Sequence, residues 1–306
     1  MGYSSAENDD DLARRLRQVY RLFDVPRIIN EPQGKQQIID YYKANRISQL
    51  LYDRDGFFHF GISYNGKHKR GDLKEPARLV EQYFHDVDAG HVLELAYGLG
   101  ANSAFLARRN PQILFDAIDI SNKPLRHNAT SPNLRFRFCD YHNLSALPEN
   151  SYDLVFVIES LCCSTDKLKV LQEVKTRLRP GGLFIVIDGY QRERVGGFSS
   201  SKETMWALIE KGLSCDKLES VADVENYMRK EFTIIESKDF SQNVLPSVMR
   251  LNFIARLYFS NPAFACVVNT LVPFDVAKNF IHLLLLPISI RSEIGCYYLH
   301  VLKKDD

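Results

Sequence analysis

The sequence predicts an α/β fold with a doubly wound, mostly parallel sheet. Between residues 91 and 190, short apolar segments alternate with segments of helical spacing. A Gly98-Leu99-Gly100 turn follows the first apolar segment, and carboxylates stand at or near the ends of several others. Strands joined by right-handed helical crossovers run parallel, so we expect their carboxyl ends, and a ligand crevice, at one edge of the sheet.

Each element is predicted from the spacing of its apolar residues and from the turn residues that bound it. We expect strands at 92–95, 113–119, 134–139, 152–158, 183–188, 232–237 and 296–302. Helices are expected at 12–22, 34–52, 75–87, 101–109, 123–128, 167–178, 202–211, 221–229 and 244–259. A turn at Pro180-Gly181-Gly182 is expected to precede the fifth strand.

The charge of the chain is nearly balanced, with 39 Lys and Arg against 38 Asp and Glu in 306 residues. This balance gives no footprint for nucleic acid, and we expect no nucleic-acid partner. The first twenty residues lack the apolar segment of a secretion signal, and no apolar run reaches the length of a membrane span. We therefore expect a cytoplasmic protein.

The six cysteines show no paired CxxC spacing, which predicts free thiols in a reducing compartment. No histidine pairs with a cysteine or a carboxylate at ligand spacing, so no metal site is expected. The sequence gives no indication of the oligomeric state.

The segment HVLELAYGLG, His91 to Gly100, is predicted to be a strand, a glycine turn and a helix N-terminus. The glycines let the backbone approach a ligand, and the N–H groups of the next helix favour a polar or electronegative partner. A nucleotide-like cofactor is therefore expected here.

Four acidic residues lie within or just after the predicted strands, namely Glu94, Asp119, Asp140 and Glu159. Asp119 follows the glycines by about 20 residues, the position from which a carboxylate binds ribose hydroxyls in dinucleotide folds. Any one of these acids could instead cap a helix or lie in a solvated turn. For Asp119 and Asp140 together, the ligand-binding interpretation is the better one.

The segments ELAYGLG, AIDIS, FCDYHNLSALPENSYDLVFVIESLCC and LRPGGLFIVIDGY resemble, in order and spacing, the class I S-adenosylmethionine-dependent methyltransferases. The resemblance covers about residues 89–190. It implies a seven-stranded Rossmann-like sheet whose last strand is antiparallel. By the same resemblance, three regions are expected: N-terminal helices and a pocket wall at 1–73, a cofactor-binding core at 74–190, and a helical lid with the closing strands at 191–306.

The resemblance also implies the cofactor, S-adenosylmethionine, and its contacts. Gly98 and Gly100 would approach the methionine part and Glu94 would organise the loop. Asp119 would bind the ribose, and Asp140 and Tyr141 would meet the adenine. The cofactor-binding residues of this core are thus expected to be Glu94, Ala96, Tyr97, Gly98, Gly100, Asp119, Ile120, Asp140, Tyr141 and Glu159. Ala96-Tyr97 departs from the Gly-Cys pair common in the family, and Tyr97 could close over the cofactor or fill part of its pocket.

A narrower resemblance lies upstream, where a tyrosine-bearing helix leads to GFFHFGIS at 56–63. This order, together with VIESLCC, is similar to the sterol, tocopherol and prenyl-diphosphate C-methyltransferases. It implies that Tyr41 and Tyr42 help to hold the cofactor's carboxylate, and that His59 and Phe60 border the reacting centre. The same segment is either a core plug or a pocket wall, and its clustered aromatics favour the wall.

The expected activity is methyl transfer to a hydrophobic small molecule, isoprenoid, sterol-like or polyketide-like, at a carbon atom. Aromatic rings attract a sulfonium or a carbocation, and the expected substrate pocket consists of Phe57, Phe58, Phe60 and Tyr190. Glu159 or His59 has the chemistry of the base, although Glu159 could equally cap the next helix. The apolar region 251–290 is expected to form a lid or to lie against a membrane surface that supplies a lipid.

Three alternatives are open at this stage. The acceptor atom could be nitrogen or oxygen, or the protein could bind cofactor or lipid without catalysis. The third alternative is an oxidoreductase with a dinucleotide in the crevice. It is disfavoured because Ser103 stands where the G-x-G-x-x-G pattern requires its third glycine.

Overall fold

A seven-stranded mixed sheet forms the centre of the fold. The computed structural model describes residues 5–32, 34–45, 52–120, 131–193 and 197–305. The strands are β1 (His91–Leu95), β2 (Leu114–Asp119), β3 (Leu134–Phe138), β4 (Tyr152–Ile158), β5 (Leu178–Gln191), β6 (Thr233–Asp239) and β7 (Gly295–Lys303). Their order is β3-β2-β1-β4-β5-β7-β6, and only β7 runs antiparallel to its neighbours. The predicted doubly wound, mostly parallel sheet is confirmed.

The helices are α1 (Ser5–Leu22), α2 (Val25–Ile29), α3 (Lys35–Ala44), α4 (Glu75–Gln82), α5 (Ala101–Arg109), α6 (Lys167–Arg177), α7 (Ser200–Gly212), α8 (Val221–Glu231), α9 (Ser241–Ser260), α10 (Pro262–Leu271) and α11 (Phe274–Arg291). Short 3-10 turns occupy Arg70–Lys74 and Leu161–Cys163. The expected helix at 123–128 and the segment 46–51 of the expected helix 34–52 lie outside the described residues.

The central strands form because their side chains are apolar on both faces, as a parallel sheet covered by helices requires. Every residue of β4 is buried, and β1 is buried from Val92 to Leu95. β1 lies between β2 and β4, so the chain reverses its direction of winding between β1 and β4. Ligands of doubly wound sheets bind at this reversal, beyond the carboxyl ends of the strands.

The fifth strand differs from its expected form. It was expected to start at 183, after a turn, but β5 begins at Leu178 and takes Pro180-Gly181-Gly182 into an irregular stretch. The pairing with β4 shifts there, from Tyr152 opposite Leu178 to Leu154 opposite Leu183. The turn residues therefore produce a bulge within the strand rather than a boundary, with Gly181 at a φ of 72°.

The helices outside the core form a second apolar layer. Side chains of α1, α2, α7, α9, α10 and α11 share one buried cluster, including Leu12, Trp206 and Leu285. The apolar region 251–290 is divided among three helices, α9, α10 and α11. The breaks occur at Asn261-Pro262 and Pro273, where proline cannot continue the preceding helix. This layer lies over the end of the sheet and encloses the cavity described below.

Candidate active site

The loop after β1 has the backbone of a ligand cradle. Three of its residues have positive φ, 55° at Ala96, 55° at Gly98 and 80° at Gly100. A Cβ atom added to Gly98 would meet no other atom within 4 Å, so the loop faces open space. The N–H of Gly98 donates to Oδ2 of Asp119 at 2.9 Å, which joins the ends of β1 and β2.

Glu94 holds the start of α5 against this loop. Its carboxylate accepts from the backbone N–H of Ser103 at 3.1 Å, from the Ser103 hydroxyl and from the Asn102 amide at 3.3 Å. Burial raises the pKa of Glu94 to about 7, whereas these hydrogen bonds lower it. Ser103, at the position of the missing third glycine, is thus the residue that secures the strand to the helix.

The predicted adenine and ribose contacts lie along the same edge. Asp119 is the last residue of β2, Ile120 follows it, and Asp140 lies two residues after β3. The Asp140 carboxylate accepts from the backbone N–H of His142 at 3.0 Å, and Tyr141 donates to the Ser160 carbonyl at 3.2 Å. The carboxylates of Glu94, Asp119 and Asp140 and the open loop thus lie around the carboxyl ends of β1, β2 and β3.

Tyr97 is packed into the protein. It is 5% exposed, and its ring lies edge-on to the ring of Phe136 on β3, with centroids 4.8 Å apart. The Tyr97 ring, which is larger than the residue usual in the family, is therefore packed in the core beside β3. That Tyr97 closes over the cofactor or fills part of its pocket stays a prediction.

A cavity of about 400 Å³ lies between the sheet and the outer helical layer, and one of its lining residues, His59, contacts Asn102 at the start of α5. Much of its wall is aromatic, and α9 and α11 supply aliphatic side chains such as Val248, Leu251 and Leu286. Seven residues predicted for the site line it, namely Tyr41, Tyr42, Phe58, His59, Phe60, Glu159 and Tyr190.

Phe57 lies elsewhere. It is 3% exposed and packs edge-on to Phe105 of α5 at 6.1 Å, with the ammonium of Lys74 over its ring. GFFHFGIS therefore gives Phe58, His59 and Phe60 to the cavity wall and Phe57 to the core. The two interpretations of this segment, plug and wall, therefore both apply, to different residues.

Glu159 is a partly buried acid in the cavity wall. Its Oε1 accepts from the backbone N–H of Phe60 and from the hydroxyl of Tyr297, each at 2.7 Å. Burial raises the pKa of Glu159 to about 8, against the effect of both hydrogen bonds. Its φ is 49°, an unusual value for a residue other than glycine and one that occurs often at functional sites.

The helical-cap interpretation of Glu159 does not match these contacts. In the 3-10 turn that follows, the N–H of Cys162 donates instead to Oδ2 of Asp188, at 2.9 Å. Asp188 is 1% exposed and also lines the cavity, and burial raises its pKa well above the ordinary value. Asp188 therefore performs the structural task and leaves Glu159 directed toward Phe60 and Tyr297.

His59 connects the two parts of the site. Its Nε2 lies 3.1 Å from Oδ1 of Asn102, whose amide group reaches Glu94, and its Nδ1 lies 3.1 Å from the carbonyl of Phe60. Burial lowers the pKa of His59. Both ring nitrogens are thus occupied by protein groups.

Residues 93–186 match a family model described as a methyltransferase domain. The methyltransferase GfsG of Streptomyces halstedii is 23% identical over 226 residues, which cover 69% of this chain and 78% of the relative. The chain belongs to the class I S-adenosylmethionine-dependent methyltransferases. The S-adenosyl-L-methionine-dependent Diels-Alderase iccD of Talaromyces variabilis is also similar, 24% identical over 75% of this chain and 84% of the relative.

The fold of the methyltransferase is also similar to that of solved structures. One is the geranyl diphosphate C-methyltransferase of Streptomyces coelicolor A3(2), in complex with Mg²⁺, geranyl diphosphate and S-adenosyl-L-homocysteine. Its TM-score is 0.61, with 16% identity over 90% of this chain and 100% of that chain. At this identity the similarity shows the fold and no more.

The methyltransferase uses S-adenosylmethionine, and the residues around the loop fit this cofactor. The open space over Gly98 gives its backbone room to approach a ligand. The Asp119 and Asp140 carboxylates are acceptors of the kind that ribose hydroxyls and an adenine amino group require. When bound, the cofactor supplies an electrophilic methyl group on a positively charged sulfur.

Several residues of the methyltransferase site were not predicted from the sequence. Tyr297, on β7, reaches the cavity with no motif to mark it, whereas Asp188 lies in LRPGGLFIVIDGY at the end of the predicted fifth strand, the same kind of position as Glu159. Tyr41 was expected to hold the cofactor's carboxylate, and its hydroxyl donates to Asn279 of α11 at 2.7 Å.

The thiols of Cys162, Cys163 and Cys215 lie within 4.8 Å of one another, a donor set suited to a soft metal ion.

Proposed function

We propose that this methyltransferase transfers the methyl group to a carbon atom of a hydrophobic small molecule of the isoprenoid, sterol-like or polyketide-like class. The observation that carries the proposal is a cavity of about 400 Å³ with a largely apolar and aromatic wall and Glu159 among its lining residues. A cavity of this size lies within the range of small-molecule sites. An apolar wall selects an apolar acceptor because a polar group would lose its water without replacement.

Carbon methylation requires a base, and Glu159 is suited to this task. A carbon that gains a methyl group must lose a proton to restore its valence. The hydrogen bonds from Phe60 and Tyr297 fix Oε1, so Oε2 is the oxygen proposed to take that proton. A carboxyl group whose pKa is about 8 is a stronger base than an ordinary one and still exists partly as the carboxylate at neutral pH.

His59 is a positioning residue in this proposal. A base needs a free lone pair facing the acceptor, and both ring nitrogens of His59 contact protein groups. Through Asn102 it connects the cavity wall to Glu94 and the cofactor loop. It therefore sets the distance between the cofactor and the acceptor.

The aromatic wall stabilises positive charge during the reaction. The rings of Tyr41, Tyr42 and Tyr190 line the same space as Phe58 and Phe60. A ring face attracts a cation by about 1 to 2 kcal/mol in a site without water. This attraction serves a sulfonium and a carbocation equally, and an uncharged nitrogen or oxygen acceptor would gain less from it.

A pericyclic reaction is the second candidate, because one of the relatives is named as a Diels-Alderase. Such a ring closure forms two carbon–carbon bonds and transfers no methyl group. The same apolar cavity could hold a folded polyene. The buried base favours methyl transfer, since ring closure of this kind moves no proton.

The test is incubation of the protein with S-adenosylmethionine labelled with carbon-13 in its methyl group and a panel of isoprenoid, sterol and polyketide acceptors. We expect a product whose labelled methyl group has the chemical shift of a methyl bonded to carbon and whose methyl protons correlate with the adjoining carbons of the acceptor in the NMR spectrum. A label attached to nitrogen or oxygen would support the N- or O-methyltransferase alternative instead. A cyclised, unlabelled product would establish the second candidate, and cofactor binding without any product would support a non-catalytic module.

A further inference from the structure

An apolar surface is concentrated on the outer helices. Seven of the thirteen exposed large apolar side chains in the described ranges lie between residues 253 and 274, namely Phe253, Ile254, Leu257, Phe264, Val267, Leu271 and Phe274. We call this set the 253–274 surface. Soluble proteins rarely expose so many apolar residues together unless something binds there.

The charge of the same segment is entirely positive. From Ser241 to Phe274 the chain contains Arg250 and Arg256 and no Asp or Glu. Arg256 is exposed and has no acidic partner in the part of the chain that the structure describes. An apolar surface with basic residues at its border is typical of proteins that lie on anionic membranes.

A basic pocket adjoins this surface. A cavity of about 300 Å³ is lined by Arg14, Arg15 and Arg256, together with Phe253, Leu257 and Ser260. Arg15 is 4% exposed, and its Nε has no hydrogen-bond partner among the described residues. Asp11 pairs with both Arg14 and Arg15, and Arg256 adds a third guanidinium group to the pocket wall.

This excess of donors indicates the ligand. A buried N–H without a partner costs free energy that an acceptor would recover, and guanidinium groups bind phosphate oxygens with charge-assisted hydrogen bonds. The apolar side chains of Phe253 and Leu257 border the same pocket. A phosphate attached to apolar chains, as in a phospholipid, matches both parts of this wall.

The surface is continuous with the acceptor cavity. Ile254 is 48% exposed and belongs to the 253–274 surface, and it also lines the cavity that Glu159 lines. Leu251, one turn before it, lines the cavity as well. A hydrophobic molecule could therefore pass from the surface to the cavity along apolar side chains.

The helices that carry the surface do not cross a bilayer singly. No described helix has the length and hydropathy of a membrane span, although α9 and α10 satisfy both together with a bend of 105° between them. A pair bent to this degree is suited to lying in an interface, where its apolar side enters the lipid and its arginines stay at the headgroups.

We propose that the 253–274 surface docks on an anionic phospholipid bilayer, with a lipid phosphate held by Arg14, Arg15 and Arg256. Docking would set the mouth of the acceptor cavity against the lipid, from which a water-insoluble molecule can enter. The binding step goes beyond the proposed reaction and does not depend on which atom is methylated.

The experiment is co-sedimentation of the full chain with vesicles of phosphatidylcholine alone and of phosphatidylcholine mixed with phosphatidylserine. We expect stronger binding to the mixed vesicles and weaker binding at high salt. Arg256→Gln should reduce the partition coefficient about fivefold, the contribution of one basic residue near an anionic surface. Leu257→Ser with Leu271→Ser should reduce it about tenfold, because these exposed side chains would lose their burial in lipid.

The controls are matched variants at the sheet edges, Ile235→Ser and Arg135→Gln, both at exposed positions. Both control variants should bind vesicles as strongly as the unchanged protein does. All variants should have the same midpoint of thermal unfolding as the unchanged protein. Equal losses in the controls, or no binding to mixed vesicles, would overturn the proposal. Inorganic phosphate provides a further arm: stabilisation by phosphate without vesicle binding would assign the pocket to a soluble phosphate and reject the membrane.

Discussion

The cofactor loop and the acceptor cavity are neighbours built in different ways. The loop is held by contacts between residues that are close in sequence, 9 positions apart for Glu94 and Ser103 and 21 for Gly98 and Asp119. The cavity is held by contacts across 99 positions, between Phe60 and Glu159, and across 138, between Tyr297 and Glu159. The loop is therefore a local motif, whereas the cavity exists only when distant elements meet.

The chemistry differs in the same way. Around the loop, the Glu94 and Asp119 carboxylates accept from backbone N–H groups and lie beside the open space in which a polar ligand would bind. In the cavity, Glu159 and Asp188 lie in an apolar wall, where burial raises both pKa values. We infer that the loop provides binding and the cavity provides proton transfer and acceptor selection. Substitutions in the two regions should therefore affect different measurements.

The largest effect is expected from Glu159→Gln. Removing a general base lowers turnover by about a hundredfold to ten-thousandfold. The amide keeps the size of the side chain and can still accept from Phe60 and Tyr297, so the fold should be retained. Turnover is measured with labelled cofactor once the acceptor is known, and near-normal turnover would exclude Glu159 as the base.

A loss of cofactor affinity is expected from Asp119→Ala. Two charge-assisted hydrogen bonds to ribose hydroxyls would be lost, and the Gly98 N–H would lose its acceptor, which together weaken binding about a hundredfold. Isothermal titration with S-adenosylmethionine measures the change. Asp86→Ala, in the turn before β1, is the control, and unchanged affinity in Asp119→Ala would refute its ribose contact.

The pH dependence of stability should also reveal the buried acid of the cavity. The pKa of Glu159 is about 8 in the folded protein against an ordinary 4.5, so its contribution to stability is complete below pH 4.5 and is lost as pH rises toward 8. In that interval one such group changes the free energy of unfolding by at most about 1.4 kcal/mol per pH unit. Glu159→Gln should flatten this decline in chemical denaturation between pH 5.5 and 7.5, within the interval set by the two values. An unchanged slope would contradict the raised pKa.

The smallest effect is expected from Tyr297→Phe. The Tyr297 hydroxyl donates to the Glu159 carboxylate and lowers its pKa, so its removal should raise that pKa further. In the unchanged protein, kcat/KM should rise with pH around pH 8, as the base loses its proton. In Tyr297→Phe this rise should occur at a higher pH, while cofactor affinity stays the same. Tyr83→Phe, a tyrosine bonded to Glu236 away from the cavity, is the control. If kcat/KM rises at the same pH in Tyr297→Phe as in the unchanged protein, Tyr297 does not influence the pKa of the base.

The sequence predicted the cofactor half far better than the acceptor half. Strand periodicity and the Gly98-Leu99-Gly100 turn were sufficient for the parallel core, and the acids at strand ends fall at the predicted edge. The irregular start of β5 was not predicted, because proline and glycine can mark a bulge as well as a turn. Which residues bind ligands stays a prediction for both halves.

The acceptor half was predicted in part, through the aromatic segment and through Tyr41, Tyr42, Glu159 and Tyr190, which also line the cavity. GFFHFGIS gave three wall residues correctly placed at the cavity, Phe58, His59 and Phe60, and one, Phe57, that packs in the core. Asp188 ends the predicted strand 183–188, the signal that marks the other acids, whereas Tyr297 carries no sequence signal, because its position depends on how β5 and β7 pair. The basic pocket was missed for the same reason, since Arg15 and Arg256 come together only in the folded chain.

The most direct test measures cofactor affinity and turnover together in the same preparations of Asp119→Ala and Glu159→Gln. The account predicts that Asp119→Ala loses affinity for S-adenosylmethionine, and that Glu159→Gln binds it normally but turns over slowly. The reverse pattern, or a loss of affinity in both variants, would contradict the assignment of binding to the loop and proton transfer to the cavity.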